Sequence, residues 1–226
     1  MTYRAVLFDL DGTLMDDDAA ERAGARAFKR RHGDRIPHPE EGFTDTWHAI
    51  LNKHALRYDA GEITFEESRR ERMRDITGRP LTTAEADAIF AEYLADYEAA
   101  WNAYPDTAPS LDRLAGFKLG IVTNWQEAQQ RRKLAAVGIL DRFPVVVGME
   151  PGRYIKPHAP IFHLACEKLG VVPAECVFVG DHLEKDARGS TAAGMRGIWL
   201  NRLGLPPVEG VEMMTSLDEL VALLLG

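Results

Sequence analysis

The chain has 226 residues, 46% of them hydrophobic and 27% charged, with a formal net charge of −8. These values suit one large globular domain, or a core with a smaller insertion, and the acidic balance argues against nucleic acid or anionic membrane as the main partner. No apolar run approaches bilayer length, no basic-then-apolar segment opens the chain, and Cys166 and Cys176 fit no metal or redox spacing; a cytoplasmic protein with reduced thiols is expected.

The first element is an apolar run, Ala5 to Phe8, that reads as a buried strand of a parallel sheet. It stops at Asp9 and Asp11, followed by Gly12-Thr13. Two anions this close repel, so a divalent metal or a nearby Lys is expected beside them. The Gly12 turn is expected to begin before Asp11, so the two side chains need not be parallel. Asp16-Asp17-Asp18 reads as a solvated helix start. From Ala19 to Trp101 every strong signal is helical. One helix ends at His32-Gly33, and a second, from Gly42 to Tyr58, carries Phe43, Trp47, Ile50, Leu51 and Leu56. Thr64 with Glu67, and Thr82 with Glu85, form capping boxes that open two more. Asn102 to Pro109 is a Pro-punctuated linker, after which Ser110 is expected to cap a short helix.

Strands and helices then alternate: strands at Leu119–Asn124, Val145–Gly148, Cys176–Asp181 and Gly197–Asn201, and helices at Glu127–Val137, Ala159–Leu169 and Asp186–Ala193. A last capping box, Ser216 with Glu219, opens a helix to Leu225. This alternation implies a doubly wound parallel sheet, an α/β Rossmann-like core. The first strand must join that sheet, so the core is discontinuous: residues 1–15 and 102–226, with an all-helical domain inserted at 16–101.

Four features stand at strand ends: Asp9/Asp11, Thr123-Asn124, Lys156-Pro157, and Gly180-Asp181 through Asp186. A parallel sheet gathers strand C-termini on one edge, so these groups should converge. Several carboxylates without thiolates or clustered His select a hard cation, Mg²⁺ beside phosphate. One carboxylate can attack phosphorus while a second, protonated, serves the leaving oxygen. Thr123, Lys156 and turn N–H groups supply the remaining positive charge.

In order and placement these motifs resemble those of the haloacid dehalogenase-like hydrolase superfamily, in the branch with a helical cap inserted after the first strand. The resemblance covers D-x-D-G-T at Asp9–Thr13, the hydrophobic run ending in Thr123, Lys156-Pro157, and G-D-x₄-D at Gly180–Asp186. It implies Asp9 as nucleophile and Asp11 as general acid/base. It implies a metal held by the Asp9 carboxylate, the Asp11 carbonyl and the Asp181 carboxylate. Thr123, with Asn124 beside it, and Lys156 would bind the phosphoryl group, Lys156 also balancing charge around Asp9. Asp186 would orient Lys156 or a metal-bound water. His182 stands where a small residue is usual, and His158 where an acidic one is common.

A dehalogenase has no alkoxide to protonate and lacks the second Asp, so Asp11 argues for phosphate-ester hydrolysis. Phosphonate hydrolysis is disfavoured for the same reason; Lys53 is a cap Lys by position only. A sugar-phosphate mutase shares all four motifs and is the alternative. A phosphorelay receiver has no use for an acid/base partner or an inserted helical domain, and an idle binding protein would not keep every catalytic position filled. The expected partner is a small phosphorylated metabolite, in a monomer or homodimer. The inserted domain is expected to close over the site on hinges at Leu14–Asp18 and Asn102–Pro109. Trp47 is expected in its core, with at most one of His48, Asn52 and His54 touching substrate.

Overall fold

A computed structural model describes residues 3–150 and 154–225. Strand β1 (Ala5–Phe8) is buried along its whole length, as a strand covered on both faces must be. It lies between β2 (Lys118–Gln126) and β4 (Cys176–Gly180), parallel to both, with Phe8 opposite Ile121 and Val179. With β3 (Val145–Met149), β5 (Arg196–Leu200) and β6 (Glu212–Met214), the all-parallel order is β3-β2-β1-β4-β5-β6. The chain builds outward from β1 to β3, then returns to lay β4 on β1's other side. That reversal opens a crevice at the strand C-termini, between β1 and β4.

The fold follows from the sequence pattern in most places. Gln126 runs directly into α6 (Glu127–Ala136), and α7 (Ala159–Leu169) closes at Gly170 in the left-handed region. Inward faces of α7, β1, β2, β3 and β4 form one apolar cluster that includes Leu7, Val122, Val147, Phe162 and Phe178. Both cysteines lie in it, free, with sulfurs 3.4 Å apart. The sequence did not announce β6, a short edge strand with Glu212 and Met213 half-buried and Met214 buried.

Ser110 is not a cap. Helix α5 spans Thr107–Arg113, and Ser110 is buried inside it. Pro109 stands in the first turn, where its missing N–H costs nothing, so it permits the helix instead of delaying it. The helix expected from Asp186 begins earlier, as a π-helical turn (Leu183–Arg188) followed by the short α8 (Gly189–Ala192).

The chain divides into two compact units, one of residues 1–17 and 101–226 and the other of residues 18–100. The second unit is helical: most of α1 (Asp17–His32), then α2 (Phe43–Asp59), α3 (Phe65–Thr77) and α4 (Thr83–Ala99). The Thr64 and Thr82 capping boxes open α3 and α4. Trp47 is buried against Phe28, Phe43 and Tyr93. His54 is buried and bonded to Asp75, which also takes Lys53. His48 contacts Glu21, and Asn52 is exposed. No helix among the described residues is long and apolar enough to cross a membrane.

Candidate active site

The geometry starts at the end of β1. Asp9 extends the strand, its N–H donating to the Val179 carbonyl at 2.9 Å. The Leu10 carbonyl then accepts from the N–H groups of Thr13, Leu14 and Met15, so the chain turns immediately after Asp9. Gly12 has φ of 79°. A Cβ there would sit 2.6 Å from Asp181 Oδ2, so glycine is required by the turn and by the close approach of that carboxylate.

The turn sends the two carboxylates to different lysines. Lys156 Nζ donates to Asp9 Oδ1 at 2.6 Å and to Asp186 Oδ1 at 2.7 Å, all three residues being buried. Burial holds Asp9 well above the usual carboxylate range; Lys156 pulls it down, while Asp186, Asp181 and Asp11 push it up again. Burial disfavours the Lys156 ammonium, yet Asp186 and Asp9 outweigh that and raise its pKa. Lys156 is positioned by Asn124, whose Oδ1 accepts from the Lys156 N–H at 2.7 Å and whose Nδ2 donates to its carbonyl at 3.0 Å. Both ends of the Asn124 amide therefore hold the Lys156 backbone.

Asp11 has another set of partners. Lys133 Nζ donates to its Oδ1 at 2.6 Å and to Asp17 Oδ1 at 2.7 Å. Gln130 Nε2 donates to Asp11 Oδ2 at 2.7 Å and to Thr123 Oγ1 at 3.1 Å. Burial, then Asp17, raises the Asp11 pKa, against Lys133 and Gln130. Asp17 is thus bonded rather than merely solvated, and in the acidic run it is Asp18 that pairs with Arg22 along α1. Thr123 Oγ1 also accepts from the Trp125 N–H at 3.2 Å. With two donors on its oxygen, the hydroxyl's remaining capacity is to donate.

On the β4 side, Thr13 and Asp181 bond reciprocally: the Thr13 hydroxyl donates to Asp181 Oδ1 at 3.2 Å, and the Asp181 N–H donates to Thr13 Oγ1 at 3.0 Å. The Trp199 indole donates to the Asp181 carbonyl at 2.8 Å. Crowding by protein atoms, then Asp186, pushes the Asp181 carboxyl up to about 6. Asp186 Oδ2 accepts from the His182 N–H, and the His182 ring accepts from the Lys185 N–H. His182 is thereby committed to its own turn.

Oxygens of Asp9, Asp181 and Asp186 lie within 4.8 Å of one another. Three hard oxygen donors with one lysine among them leave excess negative charge, which adds to burial in raising the pKa of Asp9 and Asp181. Such a set fits a small divalent cation like Mg²⁺. Both oxygens of Asp186 already have partners in Lys156 and the His182 N–H, which leaves Asp9 and Asp181 better placed as ligands.

The strand-end residues expected from the sequence therefore fall around one crevice. Gln130, Lys133, Asp17 and the Thr13 hydroxyl carry much of its geometry and were not foreseen. A signal existed for two of them. Gln130, Lys133 and Leu134 are spaced i, i+3, i+4 on α6 and all are buried, so two polar residues share the helix face that packs inward.

A family model described as a haloacid dehalogenase-like hydrolase matches residues 3–194. The chain is 30% identical to the human N-acylneuraminate-9-phosphatase, over 98% of this chain and 93% of that protein. It is 33% identical to the glyceraldehyde 3-phosphate phosphatase of Methanopyrus kandleri, over 88% of this chain and 84% of the other. Among solved structures, a magnesium-bound HAD-hydrolase from Bacillus subtilis superposes with a TM-score of 0.81 at 23% identity, covering 100% of both chains. A HAD phosphatase from Thermococcus onnurineus gives 0.69 at 29% identity, over 99% of this chain and 98% of that one.

Proposed function

The chain belongs to the haloacid dehalogenase-like hydrolases, and on that premise we propose that it hydrolyses a small phosphorylated metabolite through a phosphoryl group carried on Asp9. It is a phosphoric monoester hydrolase. The reading rests above all on the unlike surroundings of Asp9 and Asp11, two residues apart: one is held by Lys156 beside further carboxylates, the other by Lys133 and Gln130. Relatives whose names specify a phosphorylated acid or aldehyde support the substrate class.

An Asp9 carboxylate oxygen attacks phosphorus. The ester P–O bond breaks, its electron pair goes to the leaving oxygen, and that oxygen takes the proton of Asp11. A water then loses a proton to Asp11 as its oxygen bonds phosphorus; the bond from phosphorus to Asp9 breaks, which frees phosphate and restores both carboxyls. The raised Asp11 pKa suits the proton-donating role in the first half. Lys156 favours the anionic form of Asp9 that attack requires. The Thr123 hydroxyl donates to a phosphoryl oxygen. The Asp9 and Asp181 carboxylates and the Asp11 carbonyl would hold Mg²⁺, which when bound supplies positive charge to the transferring group. Asn124 and Asp186 keep Lys156 in place. Residues 1–15 and 102–226 carry this chemistry, and the helical domain selects the substrate.

The test is phosphate release from a panel of phosphorylated sugars, hydroxy acids and nucleotides with Mg²⁺, run on wild type and Asp9→Asn in parallel. Selective turnover by wild type and none by a folded Asp9→Asn protein is expected. Equal turnover by the two would remove Asp9 as nucleophile.

A further inference from the structure

We infer that Gln130 and Lys133 are positioning residues that aim the Asp11 proton at the leaving-group oxygen. The inference rests on the reading of Asp11 as general acid/base. Both Asp11 carboxyl oxygens are gripped from one helix: Oδ1 by Lys133 at 2.6 Å and Oδ2 by Gln130 at 2.7 Å. Two donors one helical turn apart fix the plane of the carboxyl, and each oxygen keeps a lone pair for the transferring proton. The Gln130 amide also holds Thr123 Oγ1, so the proton donor and the hydroxyl that binds the phosphoryl group share one anchor. Their separation is then set by a single buried side chain, which is what a proton transfer in line with bond breaking requires.

A purely structural role explains less. Gln130 is wholly buried, and its Oε1 has no partner among the described residues. A buried amide with an orphaned carbonyl costs stability, so what this side chain contributes lies in the two bonds that its nitrogen makes. Lys133 is 2% exposed and also reaches Asp17 at the start of α1. Its charge offsets the Asp11–Asp17 repulsion, and its second bond stops the ammonium from swinging away from Asp11.

Leaving-group dependence separates the two roles. A p-nitrophenolate departs without help, whereas an alkoxide needs the proton. The experiment measures kcat/KM over aryl and alkyl phosphates of rising leaving-group pKa, with Mg²⁺, for wild type, Asp11→Asn, Lys133→Met, Gln130→Met and Lys133→Arg. Asp11→Asn should make the rate fall more steeply with leaving-group pKa. Lys133→Met and Gln130→Met should steepen it too, losing about 10- to 100-fold on alkyl phosphates, within the span of general-acid catalysis, and far less on p-nitrophenyl phosphate. Lys133→Arg should recover part of the loss. Uniform loss, or none, in both methionine variants while Asp11→Asn steepens the dependence would overturn the positioning role and leave the acid/base reading intact. An unchanged slope in Asp11→Asn would overturn both. If Lys133→Met fails to fold, Gln130→Met decides the matter alone.

Discussion

Asp9 and Asp11 are two residues apart, yet they occupy pockets that differ in almost every respect except a lysine. Around Asp9, one ammonium serves two buried carboxylates, and the exposed Asp181 lies close by. Around Asp11, one ammonium serves Asp11 and the more exposed Asp17, and an amide completes the set. Each lysine lies over an aromatic ring, Lys156 over Phe178 and Lys133 over Trp101. The first pocket has more negative charge than its lysine can balance and calls for a further cation. The second sets two carboxylates against one ammonium and comes into balance when Asp11 carries a proton. On the proposed mechanism one strand end provides both an attacking carboxylate and an acid, and the turn at Leu10 is what separates them.

That contrast can be broken most severely at the carboxylates themselves. Asp9→Asn should lose at least about 10³-fold in phosphate release on every substrate, since the covalent route closes. Asp11→Asn should lose about 10²- to 10⁴-fold in kcat/KM on alkyl phosphates and much less on aryl ones, kcat/KM reporting the attack on substrate and not the later hydrolysis. Equal losses across substrates in both variants would mean that the pockets do not divide the chemistry.

The lysines sharpen the comparison through stability. Lys156→Met strands Asp9 and Asp186 in the interior and should cost about 3–5 kcal/mol in denaturant unfolding. Lys133→Met strands less deeply buried partners, with Asp17 at 26% exposure, and should cost about 1–3 kcal/mol. A larger cost at Lys133 would reverse the ranking of the pockets.

The smallest effect concerns Asp181. Its folded-state pKa is raised to about 6, above the roughly 3.9 of an unfolded aspartate. The folded protein therefore binds the proton more tightly, and without Mg²⁺ its stability should fall as pH rises from about 4 to 6. Mg²⁺ should raise Tm at pH 7.5 by binding the ionised form, less so below pH 6, and Asp181→Asn should weaken both effects. Thermal unfolding with and without Mg²⁺ measures this, and an Asp181→Asn protein with wild-type Mg²⁺ and pH responses would take Asp181 out of the cation site.

Most of the fold was legible because strands buried on both faces read as unbroken apolar runs, and because Thr64, Thr82 and Ser216 announce helix starts with a Glu three residues on. Pro109 misled because proline marks a linker and a first helical turn equally well. β6 was missed because an edge strand of Glu and Met carries little apolar signal. In the site, Asp9, Lys156, Asp181 and Asp186 were legible because each follows a core strand or opens a helix on the sheet's C-terminal edge. Gln130 and Lys133 were not. They reach Asp11 from within a helix whose sequence, E-A-Q-Q-R-R-K-L, looks solvated, and their i, i+3, i+4 spacing with Leu134 is a faint signal of which polar face turns inward. Asn124 was legible as a strand-end residue, although its amide turned out to be engaged with the Lys156 backbone.

The division of roles between the two carboxylates is tested most directly by intact-peptide mass spectrometry of Asp11→Asn protein quenched in acid after mixing with p-nitrophenyl phosphate and Mg²⁺. Attack by Asp9 needs no acid with this leaving group, but water cannot be deprotonated afterwards, so a phosphoryl group should accumulate on the peptide containing Asp9. Multiple turnovers with no phosphoryl group on that peptide, or a phosphoryl group on any other residue, would contradict it.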